Sequence, residues 1–236
     1  MIDLSSRRGL YAIVDPEFCA SRSPLDVAEA ILHGGCAILQ LRAKQLPEAD
    51  IEALAGALRD RCRAVGVPFV VNDYVSIALR VGADGVHLGQ TDLSVPSARA
   101  MVGSEIAIGL STHGLVQAQL AQADGADLIG FGPVFPTGTK HNPDPVVGLD
   151  GLRAVCREVS LPVVAIGGIT LANAANVRAS GAQMAAAISA VCSASAKCGC
   201  GAAPDATPAS TTDSASSSRS GRSLGAPSTA PRTARG

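Results

Sequence analysis

Two short apolar runs in the middle of the chain each lead into a carboxylate. Phe69-Val70-Val71 runs into Asn72 and Asp73, and Gly85-Val86-His87-Leu88 is followed by Gly89, Gln90 and Asp92. An apolar run bounded by turn signals reads as a strand buried in a parallel sheet, so both acids should stand on the rim where such strands end. Acids gathered there suit a hard cation. Magnesium takes only one or two protein carboxylates and completes its octahedron with water and phosphate oxygens. A single Asp at a strand end also serves as an Asx turn or a helix N-cap, so neither acid decides the matter alone.

Four further segments carry polar groups at apolar run ends. In Gln40-Leu41-Arg42-Ala43-Lys44 the alternation puts Gln40, Arg42 and Lys44 on one side and Leu41 and Ala43 on the other. Two cations and an amide facing one site suit a diphosphate, although an exposed basic edge has the same pattern. Gly109-Leu110-Ser111-Thr112-His113 supplies hydroxyls and an imidazole, where Ser111 or Thr112 would also serve as an N-cap. The stretch from Phe131 to Lys140 offers a rigid turn, then Thr137, Gly138, Thr139 and Lys140. Ile166-Gly167-Gly168-Ile169 brings backbone N–H groups where a phosphate could approach, or makes a tight turn with no ligand.

These segments need a scaffold that gathers strand ends. Strands are expected at Leu10-Val14, Ala37-Leu41, Phe69-Val71, Gly85-Leu88, Ile106-Leu110, Leu128-Phe131 and Pro162-Ile166, with an alanine-rich eighth at Met184-Val191. Helices lie between them. Ser23-Pro24-Leu25-Asp26 gives an N-cap, a first-turn Pro and an acid, and Gly34-Gly35 stops that helix. After Pro47, the residues Ile51, Leu54, Ala55, Leu58 and Cys62 fall on one helical face. Strand and helix in alternation give a parallel sheet, either open and doubly wound or closed as a (β/α)8 TIM barrel. No G-x-G-x-x-G follows the first strand, and polar candidates follow nearly every strand, a distribution that fits the barrel.

Composition narrows the function classes. A net charge of −1, two Tyr, four Phe and no Trp argue against a nucleic-acid surface. No apolar run of about 18 residues and no signal-peptide pattern appear, so a soluble, cytoplasmic protein without a membrane partner is expected. None of the seven cysteines forms a C-x-x-C pair, which points to reduced thiols used as small apolar residues. Oligomeric state is left open, a homo-oligomer included.

Together the segments resemble the thiamine phosphate synthase family, over roughly Leu10 to Ala190. The motifs Q-L-R-A-K, V-N-D, G-V-H-L-G-Q-x-D, G-L-S-T-H, G-P-V-F-P-T-x-T-K and I-G-G-I stand in family order. The resemblance implies a TIM-barrel transferase that joins an aminopyrimidine diphosphate to thiazole phosphate, both small molecules. It implies Mg2+ on Asp73 and Asp92, with Arg42, Lys44 and Lys140 as countercharge to the diphosphate. Gln40 and Ser111 would orient the pyrimidine, within a binding segment that includes Leu41 and Ala43, and Asn72 would donate a hydrogen bond. Thr137, Gly138 and Thr139 would meet the thiazole phosphate, with Gly168 and the backbone of Ile188 and Ser189 completing that pocket. No catalytic role is assigned to His87 or His113. Two other readings stay open: a thiazole tautomerase-like paralogue, and a catalytically impaired protein that binds a thiamine precursor.

The family pattern fails at the C-terminus. After the eighth strand the family has a covering helix, but Cys192 to Pro208 here carries no apolar stripe, so the final helix is expected to be atypical or missing. Residues 1–192 are therefore read as the barrel domain. Residues 193–236 are read as a low-complexity, disordered tail of net charge about +3, too poor in apolar side chains to offset its ordering entropy.

Overall fold

The computed structural model describes residues 6–139 and 144–193. Eight parallel strands pair in chain order and β8 closes on β1. They are β1 (Gly9–Val14), β2 (Ile38–Leu41), β3 (Phe69–Asn72), β4 (Gly85–Leu88), β5 (Ala107–Thr112), β6 (Leu128–Phe131), β7 (Val163–Ala165) and β8 (Met184–Ala187). The outer helices are α1 (Pro24–Gly34), α2 (Glu48–Ala64), α3 (Val75–Val81), α4 (Val95–Val102), α5 (Leu115–Ala123), α6 (Gly148–Glu158), α7 (Ala174–Ala179) and α8 (Ser189–Cys192). The closed barrel, not the open sheet, is the architecture. None of the helices among the described residues is long and apolar enough to cross a membrane.

The helix signals act locally as their chemistry requires. Ser23 Oγ accepts from Leu25 N at 3.2 Å with Pro24 in the first turn, and Gly35 ends α1 with φ 85°. Ile51, Ala55, Leu58 and Cys62 are the buried face of α2. The eighth strand is shorter than expected. It stops at Ala187, and Ser189–Cys192 turns into the first turn of a helix instead of extending the strand to Val191. Three alanines in succession have little strand preference, and pairing with β7 and β1 is what holds them extended. The described residues end one residue later, so the expected loss of the final helix and the tail lie outside them.

The two-residue period of the strands separates two cores. Tyr11, Ile13, Ile38, Val70, Leu128, Val164 and Met184 pack inside the barrel. Ala12, Val14, Leu39, Leu41, Phe69, Val71, Ile108 and Ile129 belong to a larger cluster shared with the helices, including Val27, Ile51, Leu58 and Ile77. Each fully buried side chain of this size is worth about 1.5 to 3 kcal/mol, so strand register is strongly enforced. A register slip of one residue would exchange the two cores. The same alternation decides what reaches the rim, because residues of interior parity above the interior core have no helix to pack on. Asp15 stands above Ile13, Gln40 and Arg42 above Ile38, Asn72 above Val70, His87 above Gly85, and Ser111 above Gly109.

Candidate active site

The two cations that follow β2 are both paired with acids. Arg42 Nη1 forms an ion pair with Asp15 Oδ2, and Glu17 Oε2 lies 4.0 Å from the same nitrogen. Lys44 Nζ lies 3.0 Å from Asp73 Oδ2. Asp73 follows β3 in the left-handed region, φ 66°, a conformation Asp tolerates better than bulkier residues. Its N–H donates to the His87 carbonyl at 2.8 Å, so the chain is anchored to β4 as it turns toward α3. Asp92 Oδ2 accepts from Gly89 N at 2.7 Å, which fixes the β4 loop. The two acids meet: burial pushes the Asp73 carboxyl up from the usual range, the adjacent Asp92 adds to this, and Lys44 opposes it.

Below this rim runs a buried amide ladder. The Tyr11 hydroxyl donates to Gln40 Oε1 at 2.7 Å, and Gln40 Nε2 donates to Asn72 Oδ1 at 3.0 Å. Burial raises the Tyr11 pKa far enough to keep its hydroxyl a donor. Gln40 is 2% exposed with both ends engaged, so its influence on a ligand passes through Asn72, whose oxygen is occupied and whose NH2 group remains the donor. Leu41 and Ala43 are buried in the outer core, so only their backbone is left to line a ligand site.

Ser111 is held from two sides. His87 Nε2 lies 3.0 Å from Ser111 Oγ, and Gln90 Nε2 donates to the Ser111 carbonyl at 2.6 Å. The His87 ring fills space left by two glycines: a Cβ at Gly109 would sit 2.4 Å from Nδ1, and one at Gly130 3.2 Å from Cε1. Burial lowers the His87 pKa to about 4, so the imidazole is neutral at pH 7, and Nδ1 has no protein partner. His113 bridges instead to the Gly132 carbonyl at 2.6 Å and to Asp144 at 3.3 Å.

The loops after β6 and β7 pack on each other. Val134 N and Phe135 N donate to the carbonyls of Ile166 and Gly167 at 2.8 and 3.1 Å. Gly168 has φ 61°, and a Cβ there would stand 2.4 Å from the Pro136 carbonyl oxygen, so only glycine allows this approach. Thr137 and Thr139 hydroxyls lie 3.1 Å apart beside Gly138. Ile188 precedes α8 and Ser189 begins it. Lys140 lies outside the described residues.

Sequence reasoning missed Asp15, Tyr11 and Gln90. Asp15 carried a usable signal, since it ends β1 just as Asp73 follows β3. Tyr11 reads as ordinary core, and the reach of Gln90 to Ser111 depends on a loop path that no local pattern encodes.

The comparisons agree with this architecture. The thiamine monophosphate synthase family model matches residues 10–191. The chain is 46% identical over 185 residues to a thiamine-phosphate synthase of Chloroflexus aurantiacus, covering 78% of this chain and 85% of that protein. It is 42% identical over 186 residues to a thiamine-phosphate synthase of Moorella thermoacetica, covering 79% and 89%. The solved thiamine phosphate pyrophosphorylase of Pyrococcus furiosus superposes with a TM-score of 0.75 at 36% identity, over 81% of this chain and 91% of that one. A match across nearly the whole barrel at such identity leaves one conclusion: the chain belongs to the thiamine monophosphate synthase family.

Proposed function

We propose that residues 1–192 condense an aminopyrimidine bearing a CH2-diphosphate with thiazole phosphate, yielding thiamine phosphate and pyrophosphate. The observation that carries this reading is the meeting of Arg42, Lys44, Asn72, Asp73 and Ser111 at one strand-end rim, in a chain of this family. In the reaction the bond between the methylene carbon and the diphosphate oxygen breaks, and its electron pair leaves on oxygen. The electron-rich ring stabilises the methylene cation, and the thiazole nitrogen donates its lone pair to form the new C–N bond. No residue need become covalently attached.

The work left to the protein is positional and electrostatic. Arg42, Lys44 and Lys140 offset charge on the departing diphosphate. The Asn72 amide and Ser111 hydroxyl donate to the ligand, with Gln40 and His87 fixing their geometry. Thr137, Gly138, Thr139 and Gly168, with the backbone at Ile188 and Ser189, receive the thiazole phosphate.

The donor set at Asp73 and Asp92 fits Mg2+. A covered Asp73 carboxyl whose proton affinity is raised by burial and by the adjoining Asp92 attracts a cation, and magnesium asks for no more protein ligands than these two carboxylates. Among the described residues no group of three or more His, Cys, Asp and Glu could hold a metal, so the remaining ligands of such an ion would have to come from water and phosphate. Bound there, the ion supplies further positive charge to the diphosphate oxygens. We assign the reaction to the cytoplasm, with small molecules as its ligands. Purified chain supplied with both precursors and Mg2+ should release pyrophosphate in step with thiamine phosphate. A folded protein that releases none overturns the reading.

A further inference from the structure

We propose that Asp15 is the positioning residue that orients Arg42 for departure of the diphosphate, an inference that rests on the function proposed above. Asp15 is fully buried and its carboxylate is divided between two tasks. Oδ1 accepts from Glu17 N at 3.0 Å, which ties the carboxylate to the 3₁₀ turn Pro16–Phe18 that follows β1. Oδ2 pairs with Arg42 Nη1. Arg42 is also held at its root, because its N–H donates to the Val14 carbonyl at 2.9 Å. The side chain is therefore fixed at both ends by consecutive residues of one segment, Val14 and Asp15.

The chemistry of guanidinium gives this arrangement a purpose. A cation only 17% exposed needs a partner, since a buried unpaired charge is strongly destabilising. Its planar fork has five donors, and committing Nη1 to Asp15 sets the plane in which the remaining donors meet phosphate oxygens. Lys44 contrasts with it: nearly half exposed and on a flexible stem, it is a mobile point charge. Arg42 held by Asp15 is the preorganised one, and preorganised charge is what stabilises a departing anion without reorganisation. Nothing else in the described rim anchors a cation to a fully buried carboxylate.

The test is a double-substitution cycle on the full chain, read by pyrophosphate release and by calorimetric binding of inorganic pyrophosphate in the presence of Mg2+. Asp15→Asn keeps an oxygen for the Glu17 amide and removes the charge that holds Arg42. It is expected to lower kcat about tenfold or more with KM for thiazole phosphate unchanged, and to change kcat by less than about twofold in an Arg42→Ala background. Unchanged kcat in Asp15→Asn, or an equal loss in both backgrounds, overturns the assignment. Should Asp15→Asn fail to fold, Asp15→Ser replaces it in the same cycle, since serine caps as well and carries no charge. If the native chain releases no pyrophosphate, the functional reading fails and binding decides the role of Asp15. A change in pyrophosphate affinity of about threefold or more that requires Arg42 supports it, and a change equal in both backgrounds, zero included, overturns it.

Discussion

Lys44 and Asp73 face each other at the top of β2 and β3, with Nζ 3.0 Å from Oδ2. The carboxylate is mostly covered and the ammonium half exposed, so the pair is asymmetric. Asp73 needs a cation next to it because Asp92 is its other neighbour. Lys44 supplies that cation while keeping enough freedom to move to a phosphate, whereas Arg42 is bound in place by Asp15.

Removing Lys44 should therefore act on the chemical step. Lys44→Ala is expected to lower kcat by about 10²- to 10³-fold, the usual loss when one stabilising group for developing negative charge is deleted. Steady-state rates of pyrophosphate release at saturating precursors check this, and a rate within twofold of the native chain contradicts it.

Metal dependence follows from the acid pair. Protein stripped with chelator should be inactive and recover on addition of Mg2+. Asp92→Asn should raise the Mg2+ concentration for half-maximal rate by about tenfold or more, since it would remove one of the two carboxylates proposed to hold the ion. Full activity in chelator would remove the role given to both acids.

The buried imidazole predicts acid sensitivity. The His87 pKa is lowered from 6.5 to about 4, so the unfolded chain binds this proton more readily than the fold does. Its contribution to stability is present above about pH 6.5 and is lost as pH falls toward 4, by up to about 3 kcal/mol. Denaturant unfolding at pH 7 and pH 5 should show a smaller loss for His87→Asn than for the native chain. Equal losses would mean that His87 titrates normally in the fold.

Gly109 should be intolerant of any side chain. The Cβ of Gly109→Ala would stand 2.4 Å from His87 Nδ1, so the ring must move and its contact with Ser111 must open. Overpacking of this kind costs about 1 to 3 kcal/mol, visible in chemical unfolding, and turnover should fall with it. A variant as stable and active as the native chain would show that the ring is free to shift.

Tyr11 tests the amide ladder. Tyr11→Phe keeps the packing and leaves Gln40 Oε1 without its buried donor, at a cost of about 1 to 3 kcal/mol. Unfolding free energies of the two chains measure it directly. A difference below about 0.5 kcal/mol would indicate that Gln40 finds another donor.

The fold was largely legible from local patterns. Seven of the eight strands fall within two residues of the runs that predicted them, because each strand is an apolar segment between turn signals. The eighth failed for a physical reason: Met184-Ala185-Ala186-Ala187 contains no β-branched residue, so its length is decided by pairing with β7 and β1 rather than by local strand preference. At the site, parity along β2 correctly grouped Gln40 with Arg42. It could not show that Gln40 is enclosed between Tyr11 and Asn72.

What the sequence by itself determined is which residues share a strand face and which stand at strand ends, since both follow from a two-residue period and from turn chemistry over a few positions. What only the tertiary structure decided is which of those residues face one another. Arg42 meets Asp15 across 27 positions, Lys44 meets Asp73, and His87 meets Ser111 across 24, all through barrel closure and inter-strand register. Pairings between residues on different strands carry no local periodic signal. They arise because the interior of a closed eight-stranded barrel is too narrow for its rim side chains to avoid one another.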